Sequence, residues 1–126
     1  MARVFLDTNC LIDAIERRPE KEILTSLKGH TSFISPLSVA IYCYLYKIKV
    51  PNKHLSIQLG EFQIVDFSAD LLYRAMDGPT VDLEDNIQLH SAAEAECDFF
   101  LTMDKKLLKM KFFGKVKLLS TLEEFA

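Results

Sequence analysis

Short apolar runs alternate with amphipathic stretches along the 126 residues. Val4-Phe5-Leu6 is a β-prone run, and the polar Asp7-Thr8-Asn9 behind it suits a strand end and a helix N-cap. This order predicts strand, turn and helix, with Leu11, Ile12 and Ile15 on the buried helix face and an end before Pro19. A second helix is expected from about Glu20 to Lys28, where Ile23, Leu24 and Leu27 are spaced for burial and Gly29 supplies the C-cap. Thr31 to Ser35 reads as a strand. Pro36 then opens a helix over Leu37 to Lys49, apolar nearly all round, which predicts packing on more than one side before Pro51 closes it.

Further along, Lys53 to Leu59 reads as helix and Phe62 to Phe67 as strand, and Ser68 with Asp70 opens a helix to about Met76, where Gly78-Pro79 interrupts. From Leu83 to about Glu96 the chain is rich in helix formers, and Asp82, Glu84 and Asp85 favour the positive end of the helix dipole. Phe99-Phe100-Leu101-Thr102 reads as a buried strand and Val116 to Leu119 as a last short one. Ser120 caps a terminal helix through Glu123, Glu124 and Phe125. Strands alternating with helices throughout predict an α/β fold with a central, mainly parallel sheet covered on both faces, residues 1–126 forming one domain. The sequence contains no internal repeat, low-complexity tract or linker.

Composition narrows the class. Hydrophobic residues make up 49% and charged residues 26%, a globular balance, and no apolar run approaches the roughly 18 residues of a membrane span. No membrane association is expected. The stretch before Asp7 is too short for a secretory core, so a cytoplasmic protein is expected. Cys10, Cys43 and Cys97 lack the spacing of zinc or redox sites and read as reduced, largely core residues. His30, His54 and His90 form no pairing such as HxxxH and read as structural or surface residues. The net charge of −3 argues against a surface that attracts nucleic acid everywhere. Local binding is open to the stretch carrying Lys105, Lys106, Lys109, Lys111, Lys115 and Lys117 with Phe112 and Phe113, which reads first as a solvated charged face.

The chemistry points to carboxylates. In parallel α/β sheets ligands sit beyond the carboxyl ends of the strands, and Asp7 and Asp104 each follow an apolar strand directly. Asp85, early in a helix, is able to face the same rim. Each alone reads as a turn former or helix cap. Together they form a set of like charges that a hard divalent cation relieves, and Mg²⁺ or Mn²⁺ takes oxygen ligands while keeping waters. Thr8, Asn9 and Thr102 lie beside the aspartates, as cap and turn residues or as groups that orient ligands. Asp82 and Glu84 read first as solvated partners of the helix dipole, with reach to a second ion as the alternative.

FLDTNCLID and DLEDNIQLHSAAEAECDFFLTMDKKLL resemble the two sequence blocks of the PIN-domain family, which includes ribonuclease toxins of toxin–antitoxin pairs. The resemblance implies a three-layer α/β/α sandwich, hydrolysis of RNA with Mg²⁺ or Mn²⁺, Asp7, Asp85 and Asp104 as metal-holding catalytic residues, an antitoxin partner and a homodimer. Lys105 and Lys106 are then placed to contact RNA phosphates. The family's glutamate in the helix after the second strand has no counterpart, since Ile41 occupies the matching position and no acid occurs from Ile34 to Gly60. Glu61 and Asp66 are the next acids along the chain. Two alternatives follow: a catalytically weakened or inactive module of the same fold that binds RNA or a protein, and, ranked below it, a phosphate-accepting receiver-like domain.

Overall fold

The structure, a computed structural model, describes residues 1–17 and 25–122. Its strands are β1 (Arg3–Leu6), β2 (Thr31–Ile34), β3 (Gln63–Ile64), β4 (Phe99–Leu101), β5 (Phe112–Phe113) and β6 (Val116–Leu119). Between them lie the helices α1 (Thr8–Ile12), α2 (Pro36–Leu45), α3 (Lys53–Leu59), α4 (Ala69–Met76), α5 (Leu83–Glu94) and α6 (Lys105–Leu108). Each helix starts where a short polar side chain accepts from the free N–H groups of its first turn, the arrangement that satisfies an otherwise orphaned helix end. Asp7 caps α1, Ser35 α2, Asn52 α3, Ser68 α4, Asp82 α5 and Asp104 α6.

The strands form one sheet in the order β3-β2-β1-β4-β6-β5. All neighbours run parallel except the terminal pair β5 and β6. Leu6 pairs with Leu101, so β1 and β4 end side by side at the centre of the sheet. Side chains alternate across it. Val4 and Leu6 join Ile34, Leu101 and Leu119 under Cys10 and Leu11 of α1, with Leu27 and Phe62. Phe5 joins Phe33, Phe100 and Leu118 on the opposite face, under Leu89 and Ala92 of α5 and Leu107 of α6. The result is the three-layer α/β/α sandwich expected, with the period-2 alternation of the strands feeding two separate cores. The Phe5 and Phe100 rings stack at 5.5 Å in the middle of one of them.

Some elements differ from the sequence reading. The strand expected over Phe62 to Phe67 shortens to Gln63–Ile64 at the sheet edge, where one side lacks a partner strand. The helix expected to reach Lys49 ends at Leu45, and Lys47 beyond it takes a left-handed φ of 54°. That helix also lacks the all-round packing predicted: Tyr44 and Leu45 are exposed, and its fully buried residues are Ser38 and Tyr42. The first helix widens into a π-type turn over Asp13–Arg17. The short α6 and β5 were not foreseen. β5 folds back on β6 through Gly114 and Lys115, and Gly114 at φ 61° supplies the left-handed residue a two-residue hairpin needs. Residues 20–24 of the expected Glu20 to Lys28 helix, and the terminal helix through Glu123, Glu124 and Phe125, lie outside the described residues.

Candidate active site

Asp7 and Asp104 stand directly beyond two adjacent strand ends, because β1 and β4 pair in register and each is followed at once by a helix. Asp7 is buried at 7% exposure. Its Oδ1 accepts from the Cys10 backbone N–H at 2.8 Å and its Oδ2 from the Thr102 hydroxyl at 2.5 Å. Asp104 accepts from the Lys106 N–H through Oδ1, at 2.8 Å. The fully buried Thr102 joins the two: its hydroxyl donates to Asp7 and accepts from the Asp104 N–H at 3.0 Å. The capping role and the shared rim therefore hold at the same residues. Sequence reasoning treated them as alternatives.

Asp85 reaches the rim from the first turn of α5. Burial pushes its carboxyl up to about 6, and the carboxylates of Asp82, Asp104, Glu84 and Asp7 add repulsion. Burial also raises Asp7; hydrogen bonds from Thr102 and Cys10 pull it back, and Asp104 pushes it further up. The three aspartates thus act on one another electrostatically. Among the described residues, however, no three His, Cys, Asp or Glu side chains converge tightly enough to cage an ion. An all-oxygen, mutually repelling set with room between its members fits a hard cation that retains waters, such as Mg²⁺ or Mn²⁺, better than zinc's closed tetrahedral shell.

Thr8 and Asn9 part company. Thr8 is buried: its N–H donates to Gln88 Oε1 at 2.8 Å, and its hydroxyl shares a hydrogen bond with the Ser38 hydroxyl, also at 2.8 Å. Asn9 is exposed on α1, and Lys105 and Lys106 are exposed at the start of α6. Burial lifts the Cys10 thiol far above its ordinary range, so next to Asp7 it stays neutral and offers no nucleophile. Glu61 is exposed beside Gly29 and His30, which precede β2, at the opposite end of the strands. His30 accepts from the Ala2 N–H, and His90 pairs with the Gly78 carbonyl, both structural roles.

Gln88, Ser38 and Glu84 were not singled out as members of this network. Gln88 is buried at 2%, accepts from the Thr8 N–H and donates to Glu84 Oε2 at 3.1 Å. The available signal was spacing, since Glu84 and Gln88 are four apart on one helix face.

The family model described as "PIN domain" matches residues 4–113. The chain belongs to the PIN domain family. Solved PIN-like neighbours have the same fold at low identity. VapBC2 from Rickettsia felis, bound to a DNA fragment from its promoter, aligns with a TM-score of 0.67 at 20% identity, covering 93% of this chain and 97% of the other. A toxin–antitoxin complex from Klebsiella pneumoniae aligns at 0.66 and 22% identity, over 90% and 94%. FitAcB from Neisseria gonorrhoeae aligns at 0.59 and 15%, over 93% and 96%. A search of curated proteins returns no significant match. No helix among the described residues is long and apolar enough to cross a membrane.

Proposed function

We propose that this PIN domain is a divalent-metal-dependent ribonuclease and the toxin of a toxin–antitoxin pair, with Asp7, Asp85 and Asp104 holding Mg²⁺ or Mn²⁺. The observation that carries the reading is the Thr102 hydroxyl, which ties Asp7 to the backbone of Asp104 while Asp85 feels the charge of both. Such repulsion is unfavourable without a cation and favourable with one. The bound ion supplies a water of lowered pKa and neutralises charge at the scissile phosphate. Thr102 and the Cys10 N–H fix the Asp7 carboxylate, and burial at this corner strengthens its field. Lys105 and Lys106, next along the chain from Asp104, bind phosphates flanking the cut and offset the acidic rim.

An antitoxin and a second copy of the chain are the proposed protein partners. The toxin–antitoxin complexes among the structural neighbours support the first, and exposed Tyr44, Leu45 and Val50 supply apolar surface of the kind such interfaces use. The test is cleavage of an RNA panel with Mn²⁺, wild type beside Asp7→Asn. We expect the substitution to reduce the rate by at least about 100-fold, on the scale of losing an essential electrostatic group; equal cleavage by both proteins rules the site out.

Ile41 favours a second reading. Half-buried on α2, it brings no acid to the rim, and together with the open spacing of the aspartates it supports a module that keeps RNA or protein binding without turnover. Saturable Mn²⁺ binding that disappears in Asp104→Asn excludes that reading.

A further inference from the structure

The acidic rim has one carboxylate more than the proposed trio, and its side chain is held in place. Glu84 is half-buried on the first turn of α5, and its Oε2 accepts from the Gln88 amide at 3.1 Å. The other end of that amide, Oε1, accepts from the Thr8 N–H at 2.8 Å. Gln88 is buried at 2%, so a polar side chain has been placed in the interior with both ends engaged. It ties the α5 carboxylate to the residue next to Asp7. The line continues from the Thr8 hydroxyl to Ser38, itself fully buried on α2. From that side α2 offers hydroxyl and aliphatic groups only, Ser38 and, three residues on, Ile41.

Asp82, the other acid at this helix end, is arranged differently. It is exposed, and its Oδ1 is committed to capping the Asp85 N–H at 3.0 Å. The two acids flanking Asp85 therefore differ: one closes a helix, the other is steered toward the β1–α1 corner.

We infer that Glu84 is a fourth acidic group of the proposed metal-binding rim, with Gln88 as the positioning residue that aims it. The inference rests on the metal-dependent reading above and assigns Glu84 a share in cation binding that α2 leaves unfilled. A carboxylate whose orientation is fixed by a buried partner loses less freedom on meeting a cation than a solvated one.

The experiment is Mn²⁺ titration by calorimetry, with melting temperatures of each metal-free protein recorded in parallel. The variants are Glu84→Gln, which keeps an acceptor for Gln88, Gln88→Leu, the pair together, Asp82→Asn as a charge control able to cap, and Asp104→Asn. Glu84→Gln should weaken Mn²⁺ at least about tenfold with metal-free melting unchanged or higher, and Asp82→Asn less than about threefold, the range over which oriented and unoriented carboxylates differ. Gln88→Leu should also weaken Mn²⁺, and adding it to Glu84→Gln should produce little further loss, since one acts through the other. Equal losses from Glu84→Gln and Asp82→Asn overturn the inference, because rim charge alone then accounts for both. Glu84→Gln binding like wild type while Asp104→Asn fails to bind overturns it too and leaves the three-aspartate reading standing. A wild type with no saturable Mn²⁺ binding removes both.

Discussion

The Asp85 carboxyl is half-buried and repelled by four neighbours, so its charge burdens the metal-free fold. In the unfolded chain it ionises near 3.8 and in the folded chain near 6. Between those values the native state holds more protons than the unfolded one, so stability falls as pH rises through the window and stays reduced above it. Asp85→Asn should therefore melt higher than wild type at pH 7 and alike at pH 4, without metal. Solvent screening of the half-exposed group limits the gain to about 1 kcal/mol or less, roughly 4 °C. Differential scanning calorimetry at the two pH values checks it; a wild type as stable as the variant at pH 7 contradicts the assigned repulsion. RNA cleavage should be lost in the same variant, the usual opposition between stability and an active site. At this scale the sequence displayed the three aspartates plainly, since each directly follows a strand or opens a helix. It concealed Gln88 and Ser38, because a buried glutamine or serine is indistinguishable in sequence from a solvated one until its neighbours are known.

The elements that position the rim are short, and caps hold them. α5 depends on more than Asp82. Asn86, 3% exposed, donates from Nδ2 to the carbonyls of Ala75 and Thr80, both at 2.9 Å, and accepts at Oδ1 from the Thr80 N–H and hydroxyl. All four of its hydrogen-bonding positions are filled, which fastens residues 77–82 between the packed helices α4 and α5. Asn86→Ala leaves several buried polar groups unpaired and should destabilise by about 3 kcal/mol in urea unfolding. A loss under about 1 kcal/mol would mean water takes over those bonds. Helix starts were legible throughout because Ser, Asn and Asp at the cap positions carry their own mechanism. The ends were less so: α2 stops at Leu45 although the apolar pattern runs on through Tyr46 and Ile48. The β5–β6 hairpin was missed because two phenylalanines are too few to show a period.

At the level of the whole molecule, charge is segregated. Six lysines and no acid fall between Lys105 and Lys117, in a chain whose net charge is −3. Lys105, Lys106, Lys109 and Lys111 are exposed where α6 leaves the rim and turns into β5. RNA binding should therefore weaken steeply with salt. Replacing Lys105 and Lys106 with Ala should reduce the slope of log Kd against log salt by about 0.7 for each phosphate left without its lysine. An unchanged slope would place the RNA elsewhere. The architecture itself was readable, since continuous apolar strands between amphipathic helices fit few arrangements other than a covered parallel sheet.

Thr102 also governs how the protein fails. The two aspartates it connects follow the two central strands, which lie about 4.8 Å apart as neighbours in any sheet, so the gauge of the rim is the hydrogen-bond lattice itself. Loops can breathe without altering that gauge. Heat should consequently leave the rim at its working width until β1 and β4 separate, and inactivation should coincide with global melting instead of preceding it.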